Sequence, residues 1–378
     1  MNEKQRIPGL VAALEAARGK QGSIKMLVGF DGFFDEIVHV VDQRQDAKNY
    51  TRMEQSSTFA SRIARASGLS TNIELVSVIN KLGGNAPILA NGLLEYGVDV
   101  TFVGAIGERD VHPAFASLAE RAKVYPICQV AHTYALEFDD AKIMISKNTF
   151  DPLTWSFIKT RLGGLQAVTD IIKECALLGI CNWTMTPYMS GIWEGMIEEV
   201  FPLLPDRGVK PLAFFDLCDP EKRTGEDIKY ALELLRKFER KFRTILGLNK
   251  KEAFDIAKLY GIHTNNSMSE AEQLKKVTTE LYEKLQLHGI VVHPTKEAAS
   301  CVKGEYFHTD GPFTPKPVLT TGAGDNFNGG FCLGQALGLP ERDSLLLAVA
   351  TSGFYVRNAK SPTYDDIIGF LNIWGSEL

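Results

Sequence analysis

Short apolar runs recur along most of the chain, and several of them are separated by stretches of helical length. The predicted strands are 24–30, 73–79, 100–106, 177–181, 212–217, 244–248 and 289–293. The predicted helices are 87–96, 113–122, 191–200, 226–238 and 250–260, and a capping box at Ser269-Glu270-Ala271-Glu272 predicts one more. Continuous apolar strands that alternate with helices predict an α/β fold whose mostly parallel sheet is covered on both faces.

Two segments interrupt this alternation. Residues 37–41 follow the first strand with no room for a crossover helix, and residues 134–146 have the pattern of two strands joined at Asp139-Asp140. Parallel strands cannot be joined so tightly, so we predict antiparallel strands outside the main sheet. They form either a β lid over an active site or an extension of the sheet's edge. Residues 46–70, which are polar apart from a helical pattern near 59–66, are interpreted as an insertion beside the lid.

The chain contains no internal repeat and no low-complexity linker. Residues 1–378 are therefore predicted to form a single domain, and the lid is predicted to come from the discontinuous segments 36–56 and 127–147. One α/β domain with an appended lid is a simpler arrangement than two domains.

Composition narrows the class of protein. The formal net charge of −5 argues against a surface that follows nucleic-acid phosphates. Apolar runs are too short for a membrane span, and the first residues lack the apolar core of a signal peptide. The 6 cysteines are scattered without a C-x-x-C pair, which is typical of reduced thiols. We therefore expect a cytoplasmic protein that binds neither nucleic acid nor membrane.

The most informative segment is Thr320-Thr321-Gly322-Ala323-Gly324-Asp325, which runs into an apolar helical stretch. Gly322 and Gly324 have no side chain, so their backbone N–H groups can point into a shared hollow, and the helix start adds the positive end of its dipole. This combination suits a phosphate group. Asp325 would repel that phosphate unless it accepts a proton from an attacking hydroxyl group. A tight turn before a packed helix is the alternative interpretation, and it leaves Asp325 unexplained.

Further polar residues follow other predicted strands, where ligands bind in open parallel sheets. They are Asp31, Asp35, Gly83-Gly84-Asn85, Asp216, Asp219, Asn249 and Glu252. A crevice rich in acids and amides suits a polyol acceptor and a Mg²⁺-bound nucleotide. Each residue also has a structural interpretation as a turn, a helix cap or a close-packing glycine. Asp216 and Asp219 are left outside the predicted site as braces or caps.

Four of these motifs occur in a characteristic order. They are Asp31-Gly32-Phe33-Phe34-Asp35, a Gly83-Gly84 to Gly107 stretch, an N-x-x-E element at 249–252, and a G-A-G-D-x-F-x-x-G segment at 322–330. Together they resemble the signatures of the ribokinase-like, or PfkB, carbohydrate kinases. The chain departs from that family's pattern at Leu319, at Ile88 and in the turn 293–298, which lacks the usual glycines.

The resemblance implies a three-layer α/β/α sandwich with a mostly parallel central sheet and a small β-strand lid. It also implies an ATP-dependent sugar kinase that uses Mg²⁺, in which Asp325 is the general base and the N–H groups of Gly322, Ala323 and Gly324 form an anion hole. The implied acceptor-binding residues are Asp31, Asp35, Gly83, Gly84 and Asn85. The implied nucleotide residues are Thr320, Asn249 and Glu252, of which Asn249 and Glu252 organise the metal through water.

Two other functions remain open. A nucleoside kinase of the same fold is supported by the segment 31–35 with its aromatic Phe33 and Phe34. A non-catalytic regulator that binds a sugar or a nucleotide is supported by the departures at Leu319, Ile88 and 293–298, whereas the complete turn with Asp325 argues against it. An exposed lid edge would also permit a homodimer.

Overall fold

The computed structural model describes residues 3–265 and 267–378. Its strands are β1 (Lys25–Phe30), β2 (Phe33–Arg44), β3 (Tyr50–Arg52), β4 (Leu75–Gly83), β5 (Asp99–Gly104), β6 (Lys123–Pro126), β7 (Ala131–Glu137), β8 (Lys142–Lys147), β9 (Leu177–Cys181), β10 (Leu212–Asp216), β11 (Arg243–Asn249), β12 (Gly289–His293), β13 (Glu297–Val302) and β14 (Glu305–Asp310). Its α-helices are α1 (Glu3–Ala17), α2 (Ser56–Arg65), α3 (Asn85–Glu95), α4 (Ala116–Arg121), α5 (Trp155–Leu162), α6 (Leu165–Lys173), α7 (Met189–Gly195), α8 (Gly225–Phe238), α9 (Lys250–Leu259), α10 (Glu270–Leu285), α11 (Ala323–Ala336), α12 (Glu341–Asn358) and α13 (Tyr364–Glu377).

The main sheet has 9 strands in the order β14-β13-β12-β11-β10-β9-β1-β5-β6. The strands from β12 to β6 are parallel, and β13 and β14 add an antiparallel edge. The chain leaves β1 toward β5 on one side and returns to β9 on the other. The strand order therefore reverses beside β1, and such a reversal opens a crevice at the carboxyl ends of the strands.

Alternate strand residues belong to two apolar cores, one on each face of the main sheet. Leu27, Phe215 and Leu246 lie in the core that α5 to α10 cover. Val28 and Phe214 lie in the core that α1, α3, α4 and α11 to α13 cover. The predicted three-layer sandwich is confirmed. Within the described residues, no helix is both long enough and apolar enough to cross a membrane.

The second sheet is small and curled, with the order β3-β2-β7-β8 and with β4 paired to β2. The predicted strands at 37–41 and 134–146 are confirmed, although β2 and β7 pair in parallel and only the pairs β2–β3, β2–β4 and β7–β8 are antiparallel. Val40, Met53, Phe59 and Phe138 form a separate core between this sheet and α2. The small sheet is thus packed as a unit of its own.

The sequence pattern predicted strand 73–79 as part of the main sheet, and this prediction is wrong. The segment corresponds to β4, which runs to Gly83 and pairs antiparallel with β2, from Phe33 opposite Gly83 to Val40 opposite Leu75. Val78 and Ile79 are 46% and 51% exposed. An apolar run alone does not distinguish a buried parallel strand from an exposed lid strand. The predicted lid segments 36–56 and 127–147 lack this strand for the same reason.

Most other predicted elements are confirmed to within a few residues, including the capping box of α10 at Ser269 and Glu272. The predicted helix 191–200 differs in detail, because α7 ends at Gly195 and a π-helical turn over Met196–Val200 continues it. The predicted helix 113–122 begins with a 3₁₀ turn at Pro113–Phe115.

Candidate active site

The carboxyl ends of β1, β9 and β10 and the first turns of α3, α9 and α11 meet at the crevice beside β1. Asp31, Asn85, Asn182, Glu252 and Asp325 lie at these ends. Most of the predicted site residues are therefore brought to one edge of the main sheet, although they come from distant parts of the chain.

Asp325 lies in the first turn of α11 and is only 6% exposed. The side-chain amide of Asn85 donates to its Oδ1 at 3.0 Å. Burial raises the pKa of Asp325 to about 8, against the hydrogen bond from Asn85, and the nearby charges of Asp31 and Glu252 raise the pKa further. A carboxyl group with a pKa in this range can exchange a proton near neutral pH.

The turn before Asp325 has the backbone shape that its glycines allow. Gly322 has a φ of 92° and caps α11, and the Tyr355 hydroxyl group donates to the Thr321 carbonyl at 2.8 Å. The Ala323 N–H donates to the Thr320 carbonyl at 3.1 Å, whereas the N–H groups of Gly322 and Gly324 have no backbone acceptor among the described residues. In this conformation the turn therefore presents two of the three predicted donors.

Asp31 lies behind the crevice rather than in it. It is 0% exposed and accepts hydrogen bonds from the N–H groups of Asn85 at 3.0 Å and Ala86 at 2.8 Å. The amide of Asn182 donates to it at 2.8 Å. A Cβ on Gly84, whose φ is 96°, would lie 3.0 Å from Asp31 Oδ2. In this structure the carboxyl group of Asp31 therefore bonds within the protein, and its contact with an acceptor hydroxyl group stays a prediction.

Asp35 belongs to the small sheet, on β2, rather than to the end of a main-sheet strand. Its carboxyl group is buried against Gly83, where a Cβ would come within 3.0 Å of it. Burial raises the pKa of Asp35 to about 6, against the charge of Lys81 and a hydrogen bond with Thr133. Beside these residues, a cavity of about 320 Å³ is lined by Lys81, Leu82, Ile88, Asn91, Glu95, Leu319, Tyr355, Ala359, Lys360, Ser361 and Thr363.

Asn249 and Glu252 form a reciprocal capping box at the start of α9. The Asn249 side chain accepts the Glu252 N–H, and Glu252 Oε2 accepts the Asn249 N–H, both at 2.9 Å. Glu252 Oε1 accepts the Asp219 N–H at 2.8 Å. Both oxygens of this buried carboxylate thus hold a backbone N–H, which suits contact with a metal through water better than direct coordination.

Three buried acids, Asp216, Glu252 and Asp325, share this end of the sheet. Burial raises the pKa of Asp216 well above its usual range, and the charges of Glu252 and Asp325 add to the effect, against a 2.8 Å hydrogen bond from Asn328. Burial likewise raises the pKa of Glu252. Clustered buried carboxyl groups that raise one another's pKa are stabilised as anions by a nearby cation, so this end of the sheet suits a divalent metal ion held through water rather than one bound directly by all three carboxylates.

A second cavity, of about 290 Å³, lies on the other side of the Gly322 turn. Its lining is mostly apolar and comes from the segments 293–297 and 311–320 and from α11 and α12. His293 lies there with its ring 4.8 Å from that of Phe327, and burial lowers the pKa of His293 to about 4. Thr320 also lines this cavity, which places it beside the predicted anion hole.

Sequence reasoning missed Asn182 and Asn328. Asn182 follows β9 directly and has a φ of 61°. Other candidate residues were identified as polar residues that directly follow a predicted strand, and the same criterion would have identified Asn182. Asn328 lies one helical turn after Asp325 and bonds to Asp216, and nothing in its sequence position distinguishes it from a core residue of α11.

Residues 12–374 match the family model described as prokaryotic ketohexokinase. The chain belongs to this family. A ketohexokinase from Haloferax volcanii is 27% identical over 349 residues, which cover 92% of this chain and 90% of that protein. The protein is therefore a carbohydrate kinase, a phosphotransferase with an alcohol group as acceptor, rather than a binding regulator.

Solved structures of similar fold include sugar kinases and a nucleoside kinase from Methanocaldococcus jannaschii. Ribokinase from Arabidopsis thaliana, complexed with ribose and ATP, has a TM-score of 0.63 at 15% identity, over 92% of this chain and 98% of that chain. Fructokinase from Xylella fastidiosa, with bound ATP, has a TM-score of 0.62 at 13% identity, over 92% and 98%. A phosphofructokinase-2 mutant from Escherichia coli has a TM-score of 0.63 at 13% identity, over 93% and 98%. At these identities the likeness establishes the ribokinase-like fold.

Proposed function

We propose that the protein transfers the γ-phosphoryl group of ATP to a hydroxyl group of a ketohexose such as fructose. The observation that carries this proposal is Asp325, a buried carboxyl group at the start of α11 beside the Gly322 turn. Membership of the ketohexokinase family supplies the acceptor class. The A. thaliana ribokinase and the X. fastidiosa fructokinase, both of this fold, were solved with ATP.

Asp325 is the general base in this proposal. As the acceptor oxygen bonds to the γ-phosphorus, the bond to the β-phosphate oxygen breaks, ADP leaves, and the hydroxyl proton passes to Asp325. The N–H groups of Gly322 and Gly324 and the positive end of the α11 dipole hold the charge of the transferring group. Ala323 contributes its N–H only if the Thr320 carbonyl releases it.

ATP is proposed to bind with its base in the 290 Å³ cavity, whose apolar lining suits a planar ring. Thr320, at the border of this cavity and the turn, lies where the phosphates enter. Asn249 and Glu252 would hold Mg²⁺ through water, and Mg²⁺ would supply charge neutralisation of the phosphates. A relative of the same fold, a ribokinase II from Escherichia coli, was solved with ATP and Mg²⁺.

The acceptor is proposed to bind between the small sheet and Asp325. Asp35 offers a carboxyl group to sugar hydroxyls, and Gly83 leaves room for that carboxyl group. The small sheet acts as a lid whose closure excludes water, since water is a competing acceptor. In this view residues 1–378 form one domain, and the lid is the sheet of β2, β3, β4, β7 and β8.

We also propose that two lids pair in a homodimer. The outer strands β4 and β8 expose Val78, Ile79, Met144 and Ile145, each at 46–51%. Exposed apolar edge strands favour pairing with another chain. Light scattering after size-exclusion chromatography should give twice the chain mass, and Ile79→Lys should give one chain mass. A monomeric parent would contradict this assignment.

An acceptor screen tests the proposed function. ADP release is measured with ATP and Mg²⁺ against ketohexoses, aldoses, nucleosides and water alone, and the product is identified by ³¹P NMR. We expect a ketohexose to give the highest kcat/KM. Turnover of nucleosides alone, which would match the nucleoside kinase alternative, or equal ADP release without any acceptor, would contradict the proposal.

A further inference from the structure

Asn85 donates its side-chain amide to Oδ1 of Asp325 at 3.0 Å. The resemblance assigned Asn85 to the acceptor, but here its amide is used on the proposed base. Asn85 is the first residue of α3 and follows the lid strand β4 after Gly84 alone. It therefore lies at the junction between the lid and the body of the protein.

The backbone of Asn85 is fixed from the body side. Asp31, at the end of β1, accepts the N–H groups of Asn85 and Ala86, and Asn182 donates to the same carboxyl group at 2.8 Å. Asp31 is 0% exposed. A fully buried carboxylate with three such donors holds its partners tightly, because breaking any bond leaves an unpaired buried group.

We propose that Asn85 is a positioning residue for Asp325, anchored by Asp31, rather than primarily a ligand of the sugar. This inference rests on the proposed role of Asp325 as the base. The Asn85 amide holds Oδ1, so that Oδ2 is the oxygen turned to the acceptor proton. Because Asp31 anchors Asn85 directly after the lid strand and Gly84, lid movement leaves the orientation of the base unchanged.

The surroundings of Asp325 explain why it needs such a partner. The acids Asp31, Asp216 and Glu252 face it from β1, β10 and α9, and Tyr355 and Cys181 lie near it on α12 and β9. All of these groups are neutral or negative. Among the described residues, the Asn85 amide is the side-chain group that donates a hydrogen bond to the Asp325 carboxylate. This bond favours the ionised form of Asp325.

A double-mutant cycle on kcat tests the inference, with the parent, Asn85→Ala, Asp325→Asn and the double variant. General bases supply about 10²–10⁴-fold, and we expect Asn85→Ala to lose about tenfold or more of this in kcat, with a sugar KM close to that of the parent. In the Asp325→Asn background the same substitution should cause little further loss. Asn372→Ala, on the exposed face of α13, controls for a helical Asn→Ala change.

Two results would overturn the inference. One is a raised sugar KM at unchanged kcat in Asn85→Ala. The other is an equal loss of kcat in both backgrounds, since each would show that Asn85 acts without Asp325. Parent-like kcat in Asp325→Asn alone would instead refute the base itself, so the two failures are distinguishable. Asp31→Asn should reproduce the kcat loss of Asn85→Ala, and thermal unfolding of each variant shows whether the fold is kept.

Discussion

Replacement of Gly83 by alanine places a methyl group where the carboxyl group of Asp35 lies. A Cβ at this position would come within 3.0 Å of Cγ and both carboxyl oxygens of Asp35, closer than real Cβ contacts. The φ angle of Gly83 is not positive, so alanine causes no backbone strain there. Gly83→Ala therefore destabilises the protein through displacement of one side chain, against a gain of about 0.4–1 kcal/mol from the reduced freedom of the unfolded chain.

The cost can be placed within a range. Asp35 is 6% exposed and bonds with Thr133, so its carboxyl group must rotate within a packed site and lose that partner. Overpacking of this kind costs about 1–3 kcal/mol. Loss of sugar contacts worth about 1.4 kcal/mol corresponds to a tenfold rise in KM for the ketohexose. The KM for ATP should stay at the parent value, because the cavity proposed for the nucleotide lies on the other side of the Gly322 turn.

Steady-state kinetics and chemical denaturation measure both effects. Gly369→Ala, on α13 with nothing within 4 Å of the new Cβ, is the control: it should leave the sugar KM unchanged and stabilise the protein by up to about 1 kcal/mol, because alanine favours a helix over glycine. In an Asp35→Ala background, Gly83→Ala should no longer destabilise the protein, since the clashing group is gone. Parent-like sugar KM and stability in Gly83→Ala would refute the placement of Asp35 against Gly83 and its contact with the acceptor.

Three further predictions concern the same end of the sheet. Gly322→Ala should lower kcat and stability more than Gly338→Ala, because both glycines have positive φ but only the Gly322 Cβ meets a neighbour, Tyr355 Oη at 2.9 Å; equal effects in kinetics and denaturation would remove the steric argument. The pKa of Asp325 is raised to about 8, so the stability that this group contributes is full below pH ~4 and is lost as pH rises through 8. Asp325→Asn should therefore raise the free energy of unfolding by about 1 kcal/mol or more at pH 9 and change it little at pH 4, and equal stability at pH 9 would contradict this pKa. Glu252→Gln should raise the Mg²⁺ concentration needed for half-maximal rate and cost about 1–3 kcal/mol, since an amide cannot accept both N–H groups; an unchanged Mg²⁺ requirement would count against Glu252.

The alternation of apolar strands and helices predicted the main sheet well, because strands buried on both faces carry a strong continuous signal. The same signal misplaced β4, whose Val78 and Ile79 are exposed on the small sheet. The hairpin of β13 and β14 was not predicted, although Lys303-Gly304 between them is a turn signal. Pairing with the distant strand β2 decides the position of β4, and a local pattern does not contain that pairing, whereas β13 and β14 pair as neighbouring segments.

In the site, the sequence likewise identified residue types but not the contacts between them. Sequence motifs located Asp325 and the Gly322 turn, because a carboxyl group beside an anion site has a chemical meaning of its own. They could not show that Asp31 accepts hydrogen bonds from Asn85, Ala86 and Asn182, or that the Ala323 N–H already has an acceptor. Hydrogen-bond partners depend on the packing of β1, α3 and α11, which meet only in the folded protein.

The rate of phosphoryl transfer by Asp325→Asn is the most direct test of the proposed chemistry. The substitution keeps the shape of the side chain and removes its ability to accept a proton. With ATP, Mg²⁺ and fructose, we predict a loss in kcat of at least about 10²-fold, with the dissociation constant for ATP near that of the parent. A variant that phosphorylates fructose at the parent rate would show that Asp325 is not the base.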